Sequence, residues 1–221
     1  MSELSQHQNI VALLDAGTDD DGFFMVLEWV SENLTDRISS AGPLNWRDFY
    51  RTIGRPILGA LAYAQGRGWN HRDIKPQNIL IDDGGVPKLS DYGIAKQFEK
   101  PSLGLTFGQF RSAPFTPPED DGGERSCSRD CFSWAAVAVY CLTGNAPADY
   151  GALTEMAASL DQSSVPVAVL QTALSHDPAE RHPLASALLA DLDAIEAKST
   201  AAARPAWPCH IRIEADCLRS V

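Results

Sequence analysis

Between His71 and Asn78 the chain reads His-Arg-Asp-Ile-Lys-Pro-Gln-Asn, an octet that leaves its backbone few choices. Pro76 has no N–H to donate and its ring clashes with a helical carbonyl one turn back, which excludes a helix interior. Lys75 in front of it is driven toward extended geometry. The apolar run Ile79-Leu80-Ile81 follows, of strand length, and stops at Asp82-Asp83-Gly84-Gly85, a strong turn signal. Val86 to Ser90 reads as the returning strand and delivers the chain to Asp91-Tyr92-Gly93. A hairpin closed in this way brings Asp91 back beside Asp73 and Asn78.

Two carboxylates, a Lys and an Asn at one hairpin base are a set suited to phosphoryl transfer. One Asp accepts the proton of an attacking hydroxyl, and Asn with the other Asp offers hard oxygen ligands to Mg²⁺. Lys neutralises charge on the moving group, and the remaining work is positioning and electrostatics. Charges scattered on a surface turn would account for either half of the pattern, but poorly for both in this order and spacing.

The segment resembles the catalytic loop of eukaryotic-like (bacterial-type) protein Ser/Thr kinases, HRDxKxxN, followed by a DFG-type motif. The resemblance implies an α+β, kinase-like fold with ATP and Mg²⁺ as cofactors and a protein as substrate. It implies that Asp73 is the catalytic Asp, Lys75 the catalytic-loop Lys, and Asn78 and Asp91 the metal ligands. His71 and Arg72 complete the loop as structural residues. Tyr92 stands where the family has Phe and keeps an aromatic ring there, so the packing is expected to survive.

Other stretches extend the likeness. Ile10 to Leu14 and Phe23 to Val30 read as strands flanking an acidic turn at Thr18 to Gly22. His7-Gln8-Asn9-Ile10-Val11 is similar to the family's HPNIV signature, which makes Leu27 the gatekeeper and Glu28, Trp29 and Val30 the hinge that bonds adenine by its backbone. Leu80 joins Glu28 and Val30 as an expected nucleotide contact. Leu34 to Ser40 is a short helix candidate. Asn45 is placed as an N-cap, with Asp48 at the third helical position. Apolar residues then recur at helical spacing from Trp46 to Ala64, with Pro56 expected to kink the helix.

Ile94 to Thr116 is irregular and fits an activation segment closed by Pro117-Pro118-Glu119, similar to the APE motif. Ser112 falls where the family has a hydroxyl bonding the catalytic Asp and Lys, and Ser102 and Thr106 are candidate phosphorylation sites or plain solvated hydroxyls. Arg129 to Thr143 is almost wholly apolar after Asp130, the mark of a buried helix, with Gly144 suited to end it. Asp130 matches the family's helix-start Asp that braces the catalytic loop. Val165 to Ser175 suggests a helix. A second, amphipathic helix with Leu184, Leu188, Leu192 and Ile195 on one stripe follows Asp177-Pro178-Ala179-Glu180-Arg181. In the resemblance that Arg pairs with the APE Glu, here Arg181 with Glu119.

Composition narrows the partners. The chain has 221 residues and a net charge of −11, which disfavours a nucleic-acid or anionic-membrane surface. No apolar run is long enough to span a bilayer, and Met1 to Gln6 does not read as a secretory signal. Five Cys in no framework pattern suit a reducing, cytoplasmic compartment. Cys209, His210 and Cys217, or Cys127 with Cys131, lack zinc-site spacing.

The likeness covers residues 4 to 198. The expected division is a small-lobe remnant with hinge over 1–30, a large lobe over 31–198, and a linker with a possible start of a further domain over 199–221. No Gly-x-Gly-x-x-Gly strand and no Val-Ala-Ile-Lys-like strand precede the hinge. The chain alone is therefore expected to be nearly inactive in phosphate transfer, and a catalytically dead, kinase-like scaffold or protein-binding module is the alternative reading.

Overall fold

The computed structural model describes residues 4–19, 22–92, 114–119 and 126–202. Strand β1 (Leu13–Asp19) and β2 (Gly22–Leu27) form an antiparallel ladder from Leu13↔Leu27 to Asp19↔Gly22, with an irregularity between Leu13 and Asp15. Thr18 and Asp19 stay in the ladder, so the turn is tighter than the sequence suggests. The second strand ends at Leu27 rather than Val30. Beyond the ladder, the Ala12 N–H is taken by the Glu28 carboxylate at 2.8 Å, which turns the chain out of the sheet.

A second sheet has the order β3 (Glu32–Asn33), β4 (Ile79–Ile81), β5 (Pro87–Leu89), antiparallel throughout. The chain before β1 joins it: the Leu89 N–H donates to Asn9 O and the Val11 N–H to Leu89 O, each at 2.9 Å. Asn33 then caps α1 (Leu34–Ala41), its Oδ1 accepting the Asp36 N–H at 3.1 Å.

The long apolar helix is real but interrupted. Asn45 caps α2 (Trp46–Phe49), accepting the Asp48 N–H at 2.9 Å. A π-helical turn, Tyr50–Gly54, leads into α3 (Arg55–Gln65). Pro56 is the cause: it cannot donate to the carbonyl one α-turn earlier and its ring crowds that carbonyl, and the wider turn relieves both. Gly54 lies at the closest approach to the core. A Cβ there would sit 2.9 Å from the Phe49 ring and 3.1 Å from Trp134. Trp134 fills that space and donates its indole N–H to Gly54 O at 3.0 Å.

Helix α4 (Ser128–Thr143) is buried on every side from Asp130 to Cys141, as its unbroken apolar sequence requires. Each large side chain such as Phe132 or Val139 contributes about 1.5–3 kcal/mol by leaving water. The helix ends at Gly144, whose φ of 72° favours a residue without Cβ. Helix α5 (Tyr150–Ala158), capped by Asp149, was not legible in the sequence. Its buried face is little more than Leu153 and Ala157, too sparse to read as a helical period.

Helix α6 (Val167–Ala173) and α7 (Ala185–Ala202) complete the helical layer. Leu188 and Leu192 are fully buried, but Leu184 is 44% exposed. Leu184 precedes the helix, and its carbonyl accepts the first N–H groups, those of Ala187 and Leu188. α7 also runs through Lys198 to Ala202, so the first four residues of the stretch read as a linker are helical. Ala-rich sequence propagates a helix already anchored by packing. α7 lies on α2 and α3, where Asp193 binds Tyr50 Oη at 2.8 Å and Arg55, and Glu196 accepts the Trp46 indole N–H at 2.9 Å. Helix dominates over strand throughout the described residues, giving an α+β fold.

Candidate active site

The octet His71–Asn78 is held from below by α4. Asp130, 1% exposed at the first turn of that helix, accepts the His71 N–H at 2.9 Å and the Arg72 N–H at 2.8 Å. Gln65 at the end of α3 also reaches this carboxylate, and its amide oxygen accepts the Ala185 N–H at 2.8 Å. Arg72 has a φ of 67°, an unusual conformation for a residue with a Cβ, and the two bonds to Asp130 fix the backbone there.

His71 is fully buried. Its Nε2 bonds Ser90 O at 2.7 Å and its Nδ1 accepts the Asp73 N–H at 3.3 Å. This pattern is that of neutral imidazole with its proton on Nε2. Burial pushes the His71 pKa down, against the opposing pull of Asp130, the Ser90 carbonyl, Asp73 and Asp91. Tyr92 packs against the imidazole, ring centroids 4.7 Å apart. Its hydroxyl, the atom that distinguishes it from Phe, bonds Ala60 O at 3.4 Å on α3. Burial raises the Tyr92 pKa, so it stays a neutral donor.

Above this support the polar groups converge. Lys75 Nζ lies 2.9 Å from Asp73 Oδ2. Asn78 donates its amide N–H to the same oxygen at 3.0 Å and to Asp73 O at 2.8 Å. With its nitrogen committed to Asp73, Asn78 presents its amide oxygen on the other side, the atom a hard cation needs. The Ser90 N–H donates to Asn78 O at 2.9 Å, which sets Asp91 beside Asn78. Asp91 is exposed and has a φ of 56°, so the backbone leaves the strand direction there. Among the described residues no group of three or more His, Cys, Asp or Glu could hold a metal ion. Asn78 and Asp91 carry oxygen donors of the kind a hard cation takes.

The segment Glu28 to Val30 leaves β2 close to β5. Trp29 is 89% exposed, and among the described residues nothing bonds the Glu28 carbonyl or the Val30 N–H. Leu80, half-buried on β4, lies opposite Lys88 on β5. Farther away, Glu119 and Arg181 form a two-point ion pair at 2.8 and 2.7 Å, and Arg129 adds a second cation at 3.2 Å. Ser112, Ser102 and Thr106 lie outside the described residues.

The chain matches the model of the family described as "Protein kinase domain" over residues 1–200. It belongs to the protein kinase family.

Among similar kinases are the probable serine/threonine-protein kinase CPE1738 of Clostridium perfringens and the serine/threonine-protein kinase PrkC of Bacillus subtilis. The first is 30% identical over 203 residues, covering 85% of this chain and 30% of the relative. The second is 31% identical over 201 residues, covering 84% and 31%. The serine/threonine-protein kinase PknK of Mycobacterium tuberculosis (strain H37Rv) is 39% identical over 152 residues, 66% of this chain and 13% of the relative. The chain thus spans under a third of the length of these relatives.

Several contributors to the kinase site were not singled out in the sequence. Lys88 bonds Glu28, Gln65 links Asp130 to α7, and Arg129 shares Glu119. Arg129 carried a signal, since it directly precedes Asp130 at the helix start. Gln65 and Lys88 carried none, because their partners lie far away in sequence. The Cys127 thiol donates to Asn70 Oδ1 at 3.0 Å, and Cys131 is fully buried.

Proposed function

We infer that the chain supplies the catalytic half of an ATP-dependent protein Ser/Thr kinase, transferring the γ-phosphoryl of ATP to a protein hydroxyl. The observation that carries this reading is the cluster in which Asp73 receives Lys75 and Asn78 on one carboxylate oxygen while Ser90 sets Asp91 beside Asn78. Asp73 orients the substrate hydroxyl and accepts its proton. Lys75, now paired with Asp73, turns its charge toward the transferring group once substrate arrives. Asn78 and Asp91 would hold Mg²⁺, which would supply charge neutralisation at the phosphates. The Glu28 carbonyl and Val30 N–H face the adenine edge, and Leu80 covers its plane.

His71, Arg72, Asp130, Glu119 and Arg181 act structurally in this reading. Residues 1–30 carry the hinge side and 31–198 the large lobe. No helix among the described residues is long and apolar enough to cross a membrane. A cytoplasmic setting without nucleic-acid partners suits the free Cys127, Cys131 and Cys141 among the described residues and the acidic charge.

Calorimetric titration with MgATP tests the reading. Saturable binding is expected, weakened at least tenfold in Asp91→Ala. A chain that takes up no MgATP, or an Asp91→Ala variant that binds as the parent does, would refute it.

A further inference from the structure

The two faces of β5 do different things. Pro87 and Leu89 point into the core, while Lys88 lies on the opposite face, in register with Leu80. Lys88 Nζ sits 2.8 Å from each carboxylate oxygen of Glu28, 60 residues away in the chain. Glu28 Oε1 also accepts the Ala12 N–H at 2.8 Å, and the Glu28 N–H donates to Ala12 O at 3.0 Å. One carboxylate therefore ties together the chain entering β1, the segment leaving β2 and the middle of β5.

This pair differs from an ordinary surface pair. The side chains of Lys88 and Glu28 are 16% and 25% exposed, against 41% and 32% for the local pair Arg37–Glu32. Shielding strengthens the contact and lowers its sensitivity to salt. Its position matters more. The β1–β2 ladder ends at Leu27, the backbone bond from Glu28 N–H to Ala12 O is the last tie to β1, and Trp29 points into solvent. Three residues beyond Lys88 the same strand delivers Asp91.

We propose that Lys88 is a positioning residue for the nucleotide base. Through Glu28 it fixes the backbone of residues 28–30 relative to Leu80 and to the strand that leads toward Asp91. This rests on the reading of Glu28 to Val30 as the adenine edge. Backbone hydrogen-bonding groups cannot adjust by rotating a side chain, so their placement depends on what holds the segment. A shift of an ångström at such a contact is enough to lose binding.

The test is base discrimination in the full 221-residue chain. Dissociation constants for MgATP and MgGTP are measured by calorimetry for the parent, Lys88→Met and Lys88→Arg. The parent is expected to prefer ATP. In Lys88→Met that preference should fall by about tenfold, the size of one well-placed hydrogen bond. Lys88→Arg, which keeps a two-point donor, should restore it. If Lys88→Met does not fold, Lys88→Gln, with one amide donor on a similar stem, takes its place. A folded variant with the parental preference overturns the inference. So does equal weakening of both nucleotides, which would mark Lys88 as merely structural. A parent that binds both nucleotides alike overturns the adenine-edge reading and the inference with it. One that binds neither overturns the nucleotide site altogether.

Discussion

Glu119 and Arg181 stand 62 positions apart in the chain and meet through two parallel hydrogen bonds of 2.8 and 2.7 Å. The Arg181 side chain is wholly removed from solvent and also donates to Ser175 O at 2.6 Å and His176 O at 3.0 Å. Its guanidinium lies over the Phe132 ring, 4.9 Å from the centroid. The segment before α4 is thereby fastened to the turn before α7. Arg181→Ala would leave the Glu119 carboxylate with Arg129 alone and two carbonyls without their donor. A loss of about 3–5 kcal/mol is expected, measured by denaturant unfolding. An unchanged midpoint would show that the pair contributes nothing.

Stability should fall with acid in two steps. Burial lowers the His71 pKa from its ordinary 6.5, so below that pH the unfolded chain binds a proton that the folded chain refuses. His7, lowered by burial and the charge of Arg67, adds to the same limb. For Glu119, burial acts upward, but the Arg181 bonds, its own backbone and the charges of Arg181 and Arg129 outweigh it and hold the pKa below 4.5. Its contribution is complete above that value and disappears as pH falls through the folded pKa. Urea midpoints flat from pH 8 to 7, falling below 6.5 and again below 4.5, are expected. Constant midpoints between pH 7 and 5.5 would rule out the His71 step.

Asp130→Asn should damage the catalytic loop while leaving α4 intact. An amide offers one acceptor where the loop needs two, for His71 and Arg72. One N–H is then buried against an NH₂ group, costing about 1–3 kcal/mol. Hydrogen exchange should show the His71 and Arg72 amides opening faster, with Val137 to Cys141 still protected. Unchanged protection at the loop would exclude the brace.

Mg²⁺ alone should bind weakly. Asn78 and Asp91 provide two oxygens, and Mg²⁺ favours six, so phosphate and water must supply the rest. Titration of Mg²⁺ into the nucleotide-free chain should give little heat, and tight binding would mean a protein cage different from this one.

A polypeptide of these 221 residues should be nearly inactive in phosphate transfer. In the proposed reading Asp73, Lys75, Asn78 and Asp91 would approach the nucleotide from one side, and these residues include no Gly-rich loop or following Lys for the other. Each tenfold loss of rate corresponds to about 1.4 kcal/mol of transition-state stabilisation. Transfer of labelled phosphate to a generic protein should lie near the level of an Asp73→Asn control. Activity far above it would require a second phosphate clamp.

Sequence alone determined the local devices. Pro76 and the Asp-Gly turn dictated the loop and hairpin, Asn45 and Gly144 marked helix ends, and the apolar run after Asp130 announced a buried helix. These follow from backbone sterics and from periodicity, which act within a few residues. The pairing of Glu119 with Arg181 was legible only through motifs shared with a family. Tertiary structure decided the rest. The kink expected at Pro56 took the form of a π-turn over Tyr50–Gly54, with Gly54 O bonded by Trp134 from across the core. α5 formed on a face too small to read, and α7 ran past Lys198 into Ala-rich sequence because α2 and α3 hold it. Lys88 found Glu28 only once β5 lay beside the segment leaving β2. Such contacts join residues that no local period relates, so their energy exists only when the whole chain has closed around them.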